Sequence, residues 1–461
     1  MLKKNDRLVI DITDYTDEGL GVGKVMTEEG TFALFVKDTA AGDRAEVIVT
    51  RLNKNYGYGK PVRVLEPSPD RVDPECPVAS CCGGCTLRHI SYEAQLKWKQ
   101  KRVSDCMERI GGLTAGRDFE YLPIIGMKVP GRYRNKAQYP VGVKSGHVVT
   151  GFYAGRTHSV VASDDCFIEP ERFGEILKII REYAQERNIP VYDEETGQGL
   201  IRHVLLREGM SGGEIMVCII VNAEAGDKAL SRFEGLSHKL EVIPEVRTFL
   251  ISHNTAKTNV ILGKDETIFF GDGRIRDRIG ENVYEISAKS FYQVNPSQTR
   301  VLYETAKEMS GLTGEEVVWD LYCGTGTIAL FLADRAKTVY GVEVVDAAVK
   351  DAEMNALLNG IKNAEFYCGK AEDIGCGISL PPPDVVVVDP PRKGCDARLI
   401  EAIGGSGTGR IVYVSCNPAT LARDAKLLGE LGYRMEKLQP VDMFPHTTGV
   451  ENVAMFMRAD E

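Results

Sequence analysis

The chain has no apolar run long enough to span a bilayer, and its first residues, Met1-Leu2-Lys3-Lys4-Asn5-Asp6, lack the apolar stretch of a secretory leader. A cytoplasmic protein without a membrane role is expected. Net positive charge is also missing. Against 66 Asp and Glu there are 56 Lys and Arg, a balance of −10, which argues against a general nucleic-acid binder. Nothing calls for an obligate protein partner. With 461 residues, 43% hydrophobic and 26% charged, the chain is an ordinary globular one of two to four domains.

Cysteine is plentiful. Twelve are present, and in a large intracellular chain they read as metal ligands, catalytic groups or core residues rather than disulfides. Cys76, Cys81, Cys82 and Cys85 cluster around two glycines that allow tight folding about a ligand. Cys76, Cys82 and Cys85 supply three thiolates, and Cys166 is the expected fourth. Such a set suits zinc or an iron–sulfur cluster, and spacing does not choose between them. Charge is uneven as well. Thr86 to Lys136 carries eleven Lys and Arg against five Asp and Glu, a local basic face of the kind that meets nucleic acid.

Residues 1–66 read as four or five short strands, a small barrel. Gly19-Leu20-Gly21-Val22-Gly23 resembles a phosphate loop, but no helical pattern follows it, so a turn into a strand is expected. Residues 67–290 form an α+β region that starts with a proline-rich linker and lacks a sharp catalytic motif. Leu96, Val103, Met107 and Ile110 recur at helical spacing, with Gly111-Gly112 as the stop. Arg132-Tyr133-Arg134-Asn135-Lys136 is a basic, aromatic turn into a strand. Arg132, Arg134 and Lys136 suit phosphate and Tyr133 suits stacking on a base.

From residue 291 to 461 strands and helices alternate, the sign of a parallel doubly wound sheet. Val317 to Thr327 is a strand running into a glycine turn, and Glu343 closes the next strand, so the turn admits a nucleotide and the acid takes ribose hydroxyls. A nicotinamide enzyme would share that pattern. Asp389-Pro390-Pro391-Arg392, at the end of a second buried strand, favours a methyltransferase using S-adenosylmethionine. The strand Ile411 to Val414 runs into Ser415-Cys416-Asn417-Pro418, and Asn-Pro forces the chain out of the sheet. Cys416 therefore lies at a carboxyl strand end, where ligands bind.

C5 of uracil is a poor nucleophile. A thiolate that adds to C6 makes C5 nucleophilic toward a methyl sulfonium, after which a base removes the C5 proton and the thiol leaves. Cys416 and Glu451 supply thiol and carboxylate, with His446 a rival base.

The N-terminal stretch, through Gly19 to Val25, Phe35-Val36 and Ala41-Gly42-Asp43, resembles the TRAM domain, an OB-like RNA-binding barrel. Nearly the whole chain resembles the RNA uracil-5-methyltransferase family, especially its 23S ribosomal RNA enzymes. The matching residues are Cys76-x5-Cys82-Gly83-Gly84-Cys85, Arg134-Asn135-Lys136, Phe291-Tyr292-Gln293-Val294-Asn295, Asp320 to Gly326, Asp389 to Arg392, Ser415 to Pro418 and Asp442 to Thr447. The resemblance implies a four-iron, four-sulfur cluster on Cys76, Cys82, Cys85 and Cys166. It also implies S-adenosylmethionine contacts at Gln293, Tyr322, Glu343 and Asp389, Cys416 as nucleophile and Glu451 as proton acceptor. Two departures stand out: Cys81 is an extra thiol, and Gly449 replaces a histidine found in many relatives. A loop of 23S ribosomal RNA is the expected substrate. Transfer RNA, or a non-catalytic RNA-binding iron–sulfur protein, are the alternatives.

Overall fold

The computed structural model describes residues 2–459 apart from 29, 156, 375 and 376. Two compact units emerge. One comprises residues 1–99, 152–161 and 444–449, and the other residues 100–151, 162–443 and 450–461.

In the first unit, strands β1 (Arg7–Tyr15), β2 (Gly21–Thr27), β3 (Gly30–Val36), β4 (Arg44–Leu52) and β5 (Tyr56–Glu66) close a barrel in the order β1-β2-β3-β5-β4. Ile10, Ile12, Leu34, Val36, Ala45, Val47 and Val49 fill it, none more than 4% exposed. The glycine run turns into β2 as expected, with Gly19 at φ 81°, and within the strand it also serves packing. A Cβ on Gly23 would lie 2.6 Å from Ile10 Cδ1, so only glycine lets the strands approach. Helix α1 (Tyr92–Cys106), whose residues from 100 onward belong to the second unit, lies where a helix is expected, although Ile110, one of the expected apolar positions, is exposed. It ends in a π turn, Met107–Gly111, where Gly112 adopts φ 70° and its N–H returns to Met107.

In the second unit, a two-residue strand β6 (Glu120–Tyr121) comes first. Strands β7 (Lys136–Lys144), β8 (His147–Tyr153), β9 (Val160–Ala162), β10 (Ile201–Gly209), β11 (Glu214–Val221), β12 (Val246–His253) and β13 (Asp265–Phe270) make a seven-stranded sheet, in the order β13-β12-β11-β10-β7-β8-β9. Helices α2 (Glu171–Glu186) and α3 (Glu234–Glu241) accompany it, and β14 (Arg274–Ile279) pairs with β15 (Asn282–Ser287) as a hairpin.

Helix α4 (Pro296–Ser310) then opens the alternating part: β16 (Val317–Leu321), α5 (Thr327–Leu332), β17 (Thr338–Glu343), α6 (Asp346–Leu358), β18 (Ala364–Cys368), β19 (Val385–Val388), α7 (Ala397–Gly405), β20 (Arg410–Ser415), α8 (Pro418–Glu430), β21 (Tyr433–Val441) and β22 (Glu451–Arg458). The sheet order is β18-β17-β16-β19-β20-β22-β21-β6. Strands β16 to β20 are parallel, and β22 is antiparallel to both β20 and β21. Strand β19 is four valines at 0–2% exposure, the continuous apolar run of a strand covered on both faces. The strand order reverses between β16 and β19, which puts a binding crevice at their carboxyl ends. Among the described residues no helix is long and apolar enough to cross a membrane.

Candidate active site

Cys416 follows directly from β20 and is half-buried. Ser415 pairs with Asn452 across the antiparallel β20–β22 ladder, so one step further the register sets Glu451 against Cys416. Asn452 Nδ2 donates to the Ser415 carbonyl at 3.2 Å and pins the two strand ends together. Asn417 caps α8 through Ala419 N–H at 3.0 Å, and Pro418 occupies the first helical turn. The chain thus leaves the sheet where Asn-Pro predicts. Asn417 Nδ2 and Thr420 Oγ1 also donate to the Arg392 carbonyl, at 3.2 and 3.4 Å. The start of the helix that follows Cys416 therefore holds the loop that carries Asp389 and Arg392.

Electrostatics ties these groups together. Burial, then Glu451 and Asp389, push the Cys416 thiol up to about 11, while Arg392 pulls it down. Glu451, 4% exposed, is raised to about 8 by burial and then by Asp389, again opposed by Arg392. Burial raises Asp389 to about 7. Burial thus favours the neutral thiol, and it raises the proton affinity of the Glu451 carboxyl that interacts with it, the kind of shift found at general-base sites. Arg392 is exposed and acts on both groups. Its motif was legible in the sequence, but its electrostatic reach depends on the fold.

Of the predicted cosubstrate residues, Tyr322, Glu343 and Asp389 stand at the carboxyl ends of β16, β17 and β19. The chain turns sharply at Tyr322 (φ 67°), Gly324 (φ 55°) and Gly326 (φ 78°), and a Cβ on Gly326 would meet Ala352 and Phe366 at 2.9 Å. Glu343 closes β17 and accepts from Gly324 N–H at 3.2 Å and Val345 N–H at 2.9 Å. Tyr322 Oη donates to Glu372 at 3.2 Å. Beneath the turn Asp320 is fully buried, and neither carboxylate oxygen has a partner in hydrogen-bond geometry among the described residues. Burial, then Asp389 and Glu343, raise it to about 8; the Ala329 amide, outside that geometry, pulls the other way. A buried, orphaned carboxylate under an open glycine turn suits a cationic ligand, so these residues fit S-adenosylmethionine.

The segment 132–136 corrects an expectation. Tyr133 is only 3% exposed, so it offers no face for a base. The Arg132 guanidinium is engaged inside its own unit. It bonds Asp165 Oδ1 at 2.6 Å and the carbonyls of Cys166 and Glu169 at 2.8 and 2.9 Å, and stacks over Phe167 at 5.3 Å. Arg134 is half-buried and donates to the Lys136 carbonyl at 3.0 Å. Lys136 is half-buried and pushed down to about 8, chiefly by burial and then by Arg207 and Arg134. Asn135 is fully buried. Its backbone N–H donates to the Val294 carbonyl at 2.8 Å and its Nδ2 to the Gln293 carbonyl at 3.2 Å, so it brackets the loop bearing the half-buried Gln293. Reasoning from composition treated this motif as a grip and missed the bracket; the polar residue between two cations at a strand start was the available signal.

The cysteines are divided. Cys76, Cys82 and Cys85 lie in the first unit and Cys166 in the second. Gly84 N–H points at Cys82 Sγ, 3.4 Å away. The Cys85 thiol is raised to about 11, mostly by burial, with Arg88 opposing and Cys82 and Cys76 adding to the rise. Yet among the described residues no group of three or more His, Cys, Asp or Glu side chains is placed to hold a metal ion. The predicted iron–sulfur centre is not assembled among the described residues.

A Rossmann-like sheet with a glycine turn, a buried acid cluster and a cysteine beside a carboxylate is an arrangement that suits a methyltransferase. Comparison with known proteins agrees. Residues 3–62 match the TRAM domain, residues 312–399 a methyltransferase domain and residues 382–459 the tRNA (uracil-5-)-methyltransferase family. An uncharacterized RNA methyltransferase of Halalkalibacterium halodurans is 47% identical over 459 residues, covering 98% of this chain and 97% of that one. Another, from Caldanaerobacter subterraneus, is 43% identical over 462 residues, 99% of each chain. The crystal structure of Pyrococcus abyssi tRNA (uracil-54, C5)-methyltransferase with S-adenosyl-L-homocysteine superposes with a TM-score of 0.76 at 28% identity, covering 98% of this chain and 100% of that one. The chain belongs to the RNA uracil-5-methyltransferase family, with a TRAM domain at its N-terminus. It is an S-adenosylmethionine-dependent RNA methyltransferase.

Proposed function

We propose that the protein methylates C5 of a uridine in a loop of 23S ribosomal RNA through a covalent adduct on Cys416. The observation that supports this most is the convergence of Cys416, Glu451 and Asp389 on the ends of the neighbouring strands β20, β22 and β19. Cys416 loses its proton to solvent water, the thiolate adds to C6, and the C5=C6 electrons move onto the uracil C4 carbonyl to give an enolate. C5 then takes the methyl group, and neutral S-adenosylhomocysteine is left. Glu451 removes the C5 proton, C5=C6 re-forms, and the C6–S bond breaks to release the thiolate. Gln293, Tyr322, Glu343 and Asp389 hold the cosubstrate in this reading. The target base leaves its stack to reach Cys416, which favours a loop over a duplex.

A second reading, transfer RNA, is favoured by the match to the Pyrococcus tRNA enzyme over 98% of this chain, barrel included. A barrel therefore does not separate the two substrates. Labelled S-adenosylmethionine offered with unmodified 23S ribosomal RNA and with unmodified transfer RNA decides between them. Label at C5 of a loop uridine in the ribosomal RNA is expected. Label in transfer RNA alone would overturn the substrate while keeping the chemistry. The four-cysteine cluster rests on spacing and resemblance. Iron and inorganic sulfide in equal amounts in anaerobically purified protein would support it, and their absence would make these cysteines plain thiols.

A further inference from the structure

Arg392 lies in the loop between β19 and α7. Its side chain is exposed, and among the described residues it makes no hydrogen bond or ion pair. The position of its guanidinium is therefore set by the backbone that carries it. That backbone is fastened to α8, the helix that starts at Pro418, just after Cys416. Besides the bonds from Asn417 and Thr420 to the Arg392 carbonyl, Arg423 Nη2 donates to the carbonyls of Lys393 at 3.0 Å and Cys395 at 3.3 Å. Asp424 Oδ2 accepts from the Cys395 N–H at 2.9 Å. Gly394, at φ 78°, lies flush against the helix: an added Cβ would be 2.5 Å from Arg423 Nη2 and 2.6 Å from Asp424 Oδ2.

Asp424 is the hub of this clamp. It is fully buried, and a buried carboxylate is costly unless it is paired and hydrogen-bonded. Arg423 supplies the cation, with Nε 2.7 Å and Nη2 2.6 Å from Oδ1. The Tyr413 hydroxyl donates to Oδ2 at 2.7 Å, and Tyr413 belongs to β20, the strand that leads into Cys416. Leu421, Ala422, Ala425 and Leu428 seat the same helix in the core. One carboxylate thus joins the nucleophile's strand, the helix behind it and the Arg392 loop. Stability alone does not call for it, since apolar packing at such a position serves as well or better.

We propose that Asp424 and Arg423 are positioning residues for methyl transfer: they lock residues 392–395 onto α8 and so keep the Arg392 guanidinium within electrostatic reach of Cys416 and Glu451. The inference deepens the catalytic reading of Cys416 and rests on it. Arg392 favours the ionised form of both groups, the thiolate that attacks C6 and the carboxylate that accepts the C5 proton. With the loop released, the guanidinium moves into solvent, the thiolate loses its nearby cation, and adduct formation slows.

The test alkylates the full chain, without RNA or cosubstrate, with iodoacetamide or with iodoacetate, and follows the Cys416 peptide by mass spectrometry. The two reagents are close in size and differ by one negative charge. The ratio of their rates reports positive charge beside the thiol, and changes in accessibility or thiol ionisation cancel in it. Arg392→Gln should lower the iodoacetate to iodoacetamide ratio about threefold. Arg423→Gln and Asp424→Asn should each lower it by a similar factor, and neither should lower it further in the Arg392→Gln background. Arg423 is exposed, so its variant keeps the test open should Asp424→Asn fail to fold. A parental ratio in Arg423→Gln, an equal fall in the Arg392→Gln background, or a parental ratio in Arg392→Gln itself would overturn the proposal. If the ratios behave as expected but the parent methylates no RNA, the clamp stands and the catalytic reading fails instead.

Discussion

Residues 132–136 and 51–60 have much the same composition, arginine and lysine around tyrosine, but Tyr133 is 3% exposed and Tyr56 is 36% exposed. The first stretch enters β7, an interior strand with β10 on one side and β8 on the other. Its cations are drawn into local work: Arg132 fastens the loop around Cys166, and Asn135 carries the Gln293 loop. The second stretch enters β5, whose inner face is glycine against the barrel core and whose outer face meets solvent. Composition names the ligand that a segment could meet. The strand neighbours decide whether the segment can reach it.

The largest expected effect separates chemistry from grip. Cys416→Ala should cut methylation by more than about a thousandfold while leaving RNA affinity intact, as read by filter binding beside a turnover assay. That variant is also the background in which the two stretches can be compared without product forming. Next in size, Asn135→Ala removes the bond to the Gln293 carbonyl and opens a small cavity. Cosubstrate affinity, measured by calorimetry, should fall roughly tenfold with RNA affinity unchanged. The opposite pattern would make the 132–136 segment a grip after all.

The smallest effect is a matter of pH. Lys136 is pushed down to about 8, so it is charged below that pH and loses its charge as pH rises through it. If it gripped phosphate, RNA affinity at fixed ionic strength would drop between pH 7 and 9. RNA affinity is expected to stay flat across this range.

Much of the catalytic half was legible. Residues 385–388 and 411–414 are unbroken apolar runs ended by Asp-Pro-Pro and by Ser-Cys-Asn-Pro, and both lie where such runs belong, buried and parallel. The glycine turn after β16 was legible because its residues need positive φ. What stayed hidden depends on contacts far apart in sequence. The 135–294 bracket spans about half of a domain, β6 is a two-residue edge strand on β21, and Arg392 gains its role only when Asn417 and Thr420 hold its carbonyl. The cysteine cluster went the other way. Local spacing was suggestive, but three of its members and the fourth fall in different units.

The most direct test of covalent catalysis replaces uridine with 5-fluorouridine in the RNA substrate. Fluorine at C5 cannot leave as a cation, so Glu451 has no proton to remove and the adduct cannot resolve. Incubation with S-adenosylmethionine, followed by denaturing electrophoresis and peptide mass spectrometry, should reveal RNA carrying one transferred methyl, linked through C6 to the peptide containing Cys416. Attachment to a different cysteine, or methylated RNA without any protein adduct, would contradict the account.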